Sequence, residues 1–175
     1  MLNPSPPSHG LLFFSVLFRS DLFSVNTIED RIAQLYGEPI RFKPKFNPLV
    51  SYYEKEMGIG SPLERYFFVS PDPKPREFLL STKLLSLNWE RDWSVDQKRQ
   101  VNIDVGFISL ENLILATTKN FSHRVYLGQS IYADLTYIAQ DGTFNVLPWT
   151  YPDYKDQEKI DFFNWCRSFI LQKNK

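Results

Sequence analysis

The chain has 175 residues, which suits a single domain with a core of its own. Its 20 basic and 20 acidic residues cancel, so we expect no nucleic-acid partner, although a locally basic pocket is compatible with this balance. One cysteine and two histidines exclude an internal disulfide, a cysteine zinc site and a multi-histidine metal centre; we predict no metal site, and any metal would be held mainly by carboxylates, as Mg²⁺ often is.

The first predicted elements are a buried strand and an amphipathic helix. Residues 1–10 hold three prolines and are expected to form a loose leader before one domain over 11–175. Leu11–Phe18 is a continuous apolar run, typical of a central strand. It is too short to span a bilayer and lacks the form of a signal peptide, so we expect a cytoplasmic protein without membrane contact. A helix capped by Asn26 and ended by Gly37 follows, with its apolar stripe on Ile28, Ile32, Leu35 and Tyr36.

Two further strands and a longer helix come next. Ile40–Phe46 reads as a strand that lies at an edge or ends early, because Pro44 cannot donate to a ladder. The segment Tyr52–Gly58 has no clear period. Arg65–Ser70 is a short strand, and a helix of about four turns over Arg76–Trp89 carries Leu80, Leu84 and Leu87 along one side.

The second half begins with a strand over Gln100–Val105. Ser109 then caps a predicted short helix whose stripe is Leu110, Leu113, Ile114 and Thr117. A three-stranded meander follows. Asp153 or Asp156 caps the last helix, which turns Ile160, Phe163, Cys166, Phe169 and Ile170 inward.

The register of the meander follows from its turns. Asp141-Gly142 predicts a type I′ hairpin turn, which would place Thr136 opposite Leu147 and Asp134 opposite Trp149. Pairing Leu127 with Ile131 places Arg124 opposite Asp134 and Tyr126 opposite Tyr132. Strict alternation then gives a core face of Val125, Leu127, Ala133, Leu135, Tyr137, Phe144 and Val146, and a second face of Arg124, Tyr126, Tyr132, Asp134, Thr136, Leu147 and Trp149. His123 would point away from Arg124 as a structural histidine on the core side.

The order strand–helix–strand, strand–helix–strand, then hairpin and helix indicates the α+β class. We predict a mainly antiparallel sheet with helices packed on one face, a ferredoxin-like sandwich with an added C-terminal hairpin and helix.

Five stretches resemble a known family. They are YYEKEMG (52–58), VNIDVGF (101–107), ATTKNFSHRVY (116–126), IYAD (131–134) with Gly128, and PWTYPDY (148–154). They are similar to the uncharacterised bacterial family called domain of unknown function 4416, over nearly the whole chain after the leader. The family pattern has proline, tyrosine and glutamate where this chain has Val105, Phe107 and Asp134. The resemblance implies an intact bacterial domain and no particular activity or cofactor.

The candidate site residues are Arg124, Asp134, Tyr126, Tyr132, Trp149, Asn102, Asp104 and Lys119. Arg124 with Asp134 could clamp a phosphate or carboxylate, or could be a cross-strand ion pair worth about 0.2–1 kcal/mol. The three aromatic residues could line a pocket or form a second core under the last helix. Asn102 and Asp104 share one strand face and could be ligands, although an aspartate near a glycine is more often a turn former.

Two more features have alternative interpretations. Lys119 follows the predicted short helix, where a cation meets the C-terminal dipole favourably. The segment Tyr151-Pro152-Asp153-Tyr154 could be a lid or a rigid corner. No phosphate loop, nucleotide-binding fingerprint, serine elbow or Cys-His pair is present. Two functions therefore stay open: binding or acting on a small anionic ligand, with the reaction unknown, or a non-catalytic protein-interaction module that uses exposed aromatics of the meander.

Overall fold

A computed structural model describes residue 3 and residues 5–45, 53, 57–58, 60 and 62–173. The strands are β1 Leu11–Arg19, β2 Ile40–Phe42, β3 Leu63–Val69, β4 Val101–Ile108, β5 Asn112–Thr117, β6 Arg124–Gly128, β7 Ile131–Gln140 and β8 Thr143–Val146. The α-helices are α1 Val25–Tyr36, α2 Phe78–Asp92 and α3 Gln157–Lys173, and a 3₁₀ helix spans Pro152–Tyr154. The prediction for Tyr52–Gly58 falls largely outside the described residues.

The described strands form one antiparallel sheet in the order β2-β3-β1-β4-β5-β7-β6, with β8 also paired to β7. Central β1 is buried along its length, as the apolar run predicts, and β2 lies at an edge. Alternate residues of β1 enter two cores, one with α1 and α2 and one with α3. The α+β class and the antiparallel sheet are therefore confirmed. The prediction that the helices pack on one face is wrong, because α3 packs on the face opposite α1 and α2. The ferredoxin-like likeness stays a prediction.

Helix α1 buries Ile28, Ile32 and Tyr36 as predicted, but Leu35 is exposed, and the predicted stripe of α2, Leu80, Leu84 and Leu87, is only half-buried. Helix α1 ends at Gly37, whose φ of 82° favours glycine, but its N-cap is Ser24 and not Asn26. Helix α3 begins directly after Asp156 and buries Ile160, Phe163, Cys166 and Ile170, with Phe169 partly buried. Burial raises the pKa of the Cys166 thiol to about 12, so this thiol stays protonated.

The predicted short helix after Ser109 is wrong, because residues 112–117 form strand β5. The Ser109 hydroxyl accepts hydrogen bonds from the N–H groups of Glu111 and Asn112, so it stabilises the β4–β5 turn instead of a helix terminus. Strand β5 contributes apolar side chains to both cores and therefore lacks the alternation of a half-buried strand.

The predicted faces of the meander are wrong in part because β7 carries a bulge. Leu113 pairs with Tyr137 while Ile114 pairs with Leu135, so Thr136 is an extra residue on β7. The bulge shifts the alternation and places Asp134 on the same side as Tyr137. Of the predicted core face, Tyr137 and Phe144 are buried, Ala133 and Leu135 are half-buried, and Val125, Leu127 and Val146 are exposed.

The hairpin turns are nearly as predicted. Asp141 and Gly142 both have positive φ, as a type I′ turn requires. Arg124 pairs with Asp134 and Tyr126 with Tyr132, but Gly128 and not Leu127 pairs with Ile131. Strand β8 ends at Val146, so the expected pairs of Leu147 and Trp149 do not form.

Candidate functional site

A cavity of about 420 Å³ lies where β4 and β5 separate, and this volume is typical of small-ligand pockets. Strand β5 pairs with β4 only over Val105–Ile108, so Val101–Asp104 has β1 on one side and the cavity on the other. We call this space the β4–β5 cavity. Its ionisable side chains include four cations, Arg65, Lys83, Arg99 and Lys119, and four acids, Glu90, Asp104, Asp134 and Asp153.

Helix α2 supplies the first wall of the cavity. Two of its side chains bind backbone groups of β4 that would otherwise pair with a neighbouring strand. The Glu90 carboxylate accepts a hydrogen bond of 2.5 Å from the N–H of Ile103, and the Lys83 ammonium donates one of 2.8 Å to its carbonyl oxygen. The Arg99 guanidinium lies 3.7 Å from Glu90. Burial raises the pKa of Glu90, and the charge of Asp104 adds to this, against the lowering effect of Lys83 and the hydrogen bond from Ile103.

The second wall is a buried arginine on β3. The Arg65 side chain is 2% exposed and pairs with Asp153 of the 3₁₀ helix. Its Nη2 also donates a hydrogen bond of 3.1 Å to the hydroxyl of Tyr53. Burial raises the pKa of the Tyr53 hydroxyl against the opposing charge of Arg65. The pair with Asp153 fixes the segment 151–154 as a wall of the cavity.

Asp104, Ser15 and Tyr154 form a third, polar group. Asp104 is directly opposite Ser15 on β1, so their side chains share the face that α3 covers. The hydroxyl groups of Ser15 and Tyr154 are buried, and neither has a hydrogen bond of good geometry within the described residues, although they lie close to each other. Burial raises the pKa of Tyr154 well above its ordinary value, and the charge of Asp104 contributes. The cavity therefore has a buried end rich in hydrogen-bonding groups.

The meander supplies the last wall through a buried carboxylate with two partners. Asp134 is 1% exposed and lies 2.8 Å from Nε of Arg124 and 3.2 Å from Nε2 of His123. Arg124 also donates hydrogen bonds to the carbonyl oxygen of Lys119 and to the hydroxyl of Tyr151. The expectation that His123 points away from Arg124 is wrong, since His123 precedes β6 in a turn and reaches the same carboxylate.

The structure brings together four of the eight candidate residues: Asn102, Asp104, Lys119 and Asp134 line the cavity. Arg124 lies behind Asp134. Tyr126 and Tyr132 pack against each other with ring centres 5.2 Å apart, and Trp149 stacks on His123 at 5.0 Å; neither pair lines the cavity.

Two structural interpretations of single residues are wrong. Asp104 is not a turn former, because β4 continues past it to Ile108. Gly106 is required within this strand because an added Cβ would lie 2.0 Å from the ring of Phe13. Lys119 follows a strand and does not lie at a helix terminus.

Sequence reasoning missed Arg65, Lys83 and Glu90. A signal exists for each of them. Lys83 and Glu90 are seven residues apart on the side of α2 that also buries Leu79, Ser86 and Trp89, where charged residues are unusual. Arg65 alternates with Phe67 and Val69, which are core residues of β3. A charged residue at a position that the apolar spacing predicts to be buried was therefore the signal for these site residues.

Within the described parts of the chain, His, Cys, Asp and Glu form no group of three or more that could hold a metal ion. Among the helices described, none has both the length and the hydropathy needed to cross a membrane.

Comparison with models of known protein families gives a match. A family model described as Domain of unknown function (DUF4416) matches residues 8–169, which confirms the resemblance expected from the sequence. No curated protein and no solved structure matches the chain.

Proposed function

The chain belongs to the family described as Domain of unknown function (DUF4416), and from the geometry of the β4–β5 cavity we propose that it binds a small ligand bearing a phosphate or carboxylate group. The observation that carries this proposal is the ammonium of Lys83. It is buried in the cavity wall and donates one hydrogen bond, to Ile103. An ammonium has three N–H donors, and the described residues accept no second hydrogen bond from this one, although its charge acts on the nearby Glu90. A buried N–H group without an acceptor is costly. An anionic ligand group would accept hydrogen bonds from the remaining N–H groups of Lys83 and offset that cost.

The rest of the wall suits the same ligand group. Asp134 is paired with Arg124, and Asp153 with Arg65, so these two carboxylates already have cationic partners. Thr117, Thr118 and Lys119 also line the cavity, and they bring two hydroxyl groups and an ammonium to this part of the wall. Hydroxyl and cationic donors around one anion give short, charge-assisted hydrogen bonds.

The test compares Lys83→Met with wild type and with Lys43→Met. Lys43 is an exposed lysine paired with Glu64 and lies outside the cavity lining, so its variant controls for loss of a lysine charge. Calorimetric titrations would use inorganic phosphate and a panel of small phosphates and carboxylates. We expect Lys83→Met to weaken binding by about tenfold or more, since hydrogen bonds to charged groups contribute about 1.5–3 kcal/mol, and Lys43→Met to leave it unchanged.

Two results would contradict the proposal. One is a wild-type protein that no compound of the panel stabilises or binds. The other is a Lys83→Met protein that folds and binds the same compound as tightly as wild type. Circular dichroism and thermal unfolding of each variant separate loss of binding from loss of folding.

A second candidate function is a protein contact at β6. This strand is the last in the sheet order, so one backbone edge is available to another strand. Val125 is 67% exposed and Tyr126 60% exposed. We expect Val125→Lys to abolish such a contact without changing ligand binding in the cavity. Light scattering of the protein alone over a range of concentrations tests this for a second copy of the chain, and an unchanged monomer in both proteins would count against it.

We also propose that β1–β4 with α1 and α2 form a ferredoxin-like unit. The order β2-β3-β1-β4 and the packing of both helices on one face support this likeness.

A further inference from the structure

We propose that the ligand of the β4–β5 cavity also carries an amino group, which the carboxylate of Asp104 binds. The ligand class is then an amine-bearing phosphate or carboxylate, with opposite charges at two ends. This inference rests on the proposed function, since the anionic end of the ligand is the one assigned to Lys83.

The first argument is that Asp104 differs from the other acids of the cavity. Asp153 and Asp134 form ion pairs with arginines, and Glu90 lies near Arg99 and binds the N–H of Ile103. Asp104 accepts one hydrogen bond, of 3.3 Å, from the side-chain amide of Asn102. It forms no ion pair with any described residue. The charge of Arg65 acts on Asp104, but Arg65 forms its close ion pair with Asp153. A half-buried carboxylate without a close ion pair is costly, and a cationic ligand group would offset that cost.

The second argument is independent and concerns the hydroxyl groups beside it. Tyr154 lines the cavity, and its hydroxyl is buried near Asp104 and close to the hydroxyl of Ser15, without a hydrogen bond of good geometry among the described residues. The hydroxyl of Ser15, directly across the strand pair from Asp104, is also buried without a hydrogen bond of good geometry among the described residues. Buried hydroxyl groups are usually paired, and a contact between these two still leaves acceptor lone pairs for a third group. An ammonium has three donors and can satisfy a carboxylate and one or two hydroxyl oxygens together.

The two ends of the ligand lie on different elements. Lys83 belongs to α2, which packs on one face of the sheet, and Asp104 faces the side that α3 covers. Both line the same cavity because the sheet opens between β4 and β5. A ligand with an anion at one end and an ammonium at the other would bridge this opening. A simple anion would bind only Lys83, and a simple amine would bind only Asp104.

The experiment uses two matched series of probes on the full chain. One series is ω-aminoalkyl phosphates of increasing chain length, and the other is the alkyl phosphates of equal length without the amine. Titration calorimetry would be performed on wild type, Asp104→Asn and Asp141→Asn. Asp141 is an exposed turn residue outside the cavity lining, so Asp141→Asn is the matched control.

The expected result is that at least one aminoalkyl phosphate binds wild type about tenfold or more tightly than its alkyl partner. Asp104→Asn should remove that preference and tighten binding of alkyl phosphates, because it removes a negative charge from the cavity, while Asp141→Asn should keep the preference. Tyr154→Phe should reduce the preference without loss of folding, because it removes only the hydroxyl. If Asp104→Asn does not fold, the preference measured with Tyr154→Phe tests the inference in its place.

Two outcomes would overturn the inference in distinguishable ways. If wild type binds both series equally, or if Asp104→Asn keeps the preference, Asp104 does not recognise an amine and the proposed function stands. If neither series, nor inorganic phosphate, binds wild type, the proposed function fails and the inference fails with it.

Discussion

Removal of Arg124 should destabilise the fold far more than loss of a surface ion pair. Asp134 is 1% exposed, and the Arg124 side chain is 8% exposed. Arg124→Met therefore leaves a buried carboxylate whose remaining partners are the ring of His123 and the hydroxyl of Thr136. Breaking a buried pair from one side costs about 3–5 kcal/mol. For a domain of this size that lowers Tm by about 6–20 °C. Urea unfolding of Arg124→Met, Asp134→Leu and the double variant measures the coupling energy between the two side chains.

The control is the same cycle on the exposed pair of Lys43 and Glu64, for which we expect about 1 kcal/mol or less. The double variant Arg124→Met/Asp134→Leu should be more stable than Arg124→Met alone, because no unpaired charge is left buried. A coupling energy for Arg124 and Asp134 no larger than that of the control pair would refute this reasoning. The pair would then be an ordinary cross-strand contact.

Two further predictions concern the core and the α2 wall. Phe163 is fully buried, so Phe163→Ala should cost about 3–5 kcal/mol in urea unfolding, whereas Ala at Trp165, which is 46% exposed on the same helix, should cost far less; equal costs would mean that α3 does not pack as described. The raised pKa of Glu90 means that the folded state binds a proton there more readily than the unfolded chain, so stability falls as the pH rises from about 4.3 through the folded pKa. Glu90→Gln keeps an acceptor for Ile103, and its stability relative to wild type should rise over that range; a difference independent of pH would contradict the assignment.

Apolar periodicity predicted most of the fold because it reports directly on burial. The run Leu11–Phe18 and the stripe of α3 each indicated the element and the side that it buries. The same signal failed for β5, whose side chains enter both cores. Its spacing then resembles a helical stripe, and Ser109 stabilises a hairpin turn with the chemistry that also caps a helix. Only the pairing of β5 with β4 and β7 shows that this segment is a strand and not a short helix. That pairing joins segments that are distant in the sequence, so local patterns do not reveal it.

The candidate site was predicted in part, for a related reason. Asn102, Asp104, Lys119 and Asp134 were recognised as polar residues near strand ends or across a hairpin, and the structure places them around one cavity. Three other lining residues, Arg65, Lys83 and Glu90, come from distant segments. They meet at the cavity because β5 does not pair with the part of β4 that precedes Val105. The bulge at Thr136 also reversed the expected direction of Asp134 relative to Tyr137. One extra residue in a strand changes which side chains face a site, and alternation alone does not reveal it.

The most direct test of the central claim is an amide chemical-shift titration of wild type with an aminoalkyl phosphate. Ligand in the β4–β5 cavity should shift the amides of Ile103, Asp104 and residues 117–119, since Ile103 lies between Lys83 and Glu90. Amides of the distant edge strand β2 should not move. Saturable shifts confined to these cavity residues are the predicted result. Shifts confined to β6, or none at concentrations that saturate small-ligand sites, would contradict the assignment of the cavity as the binding site.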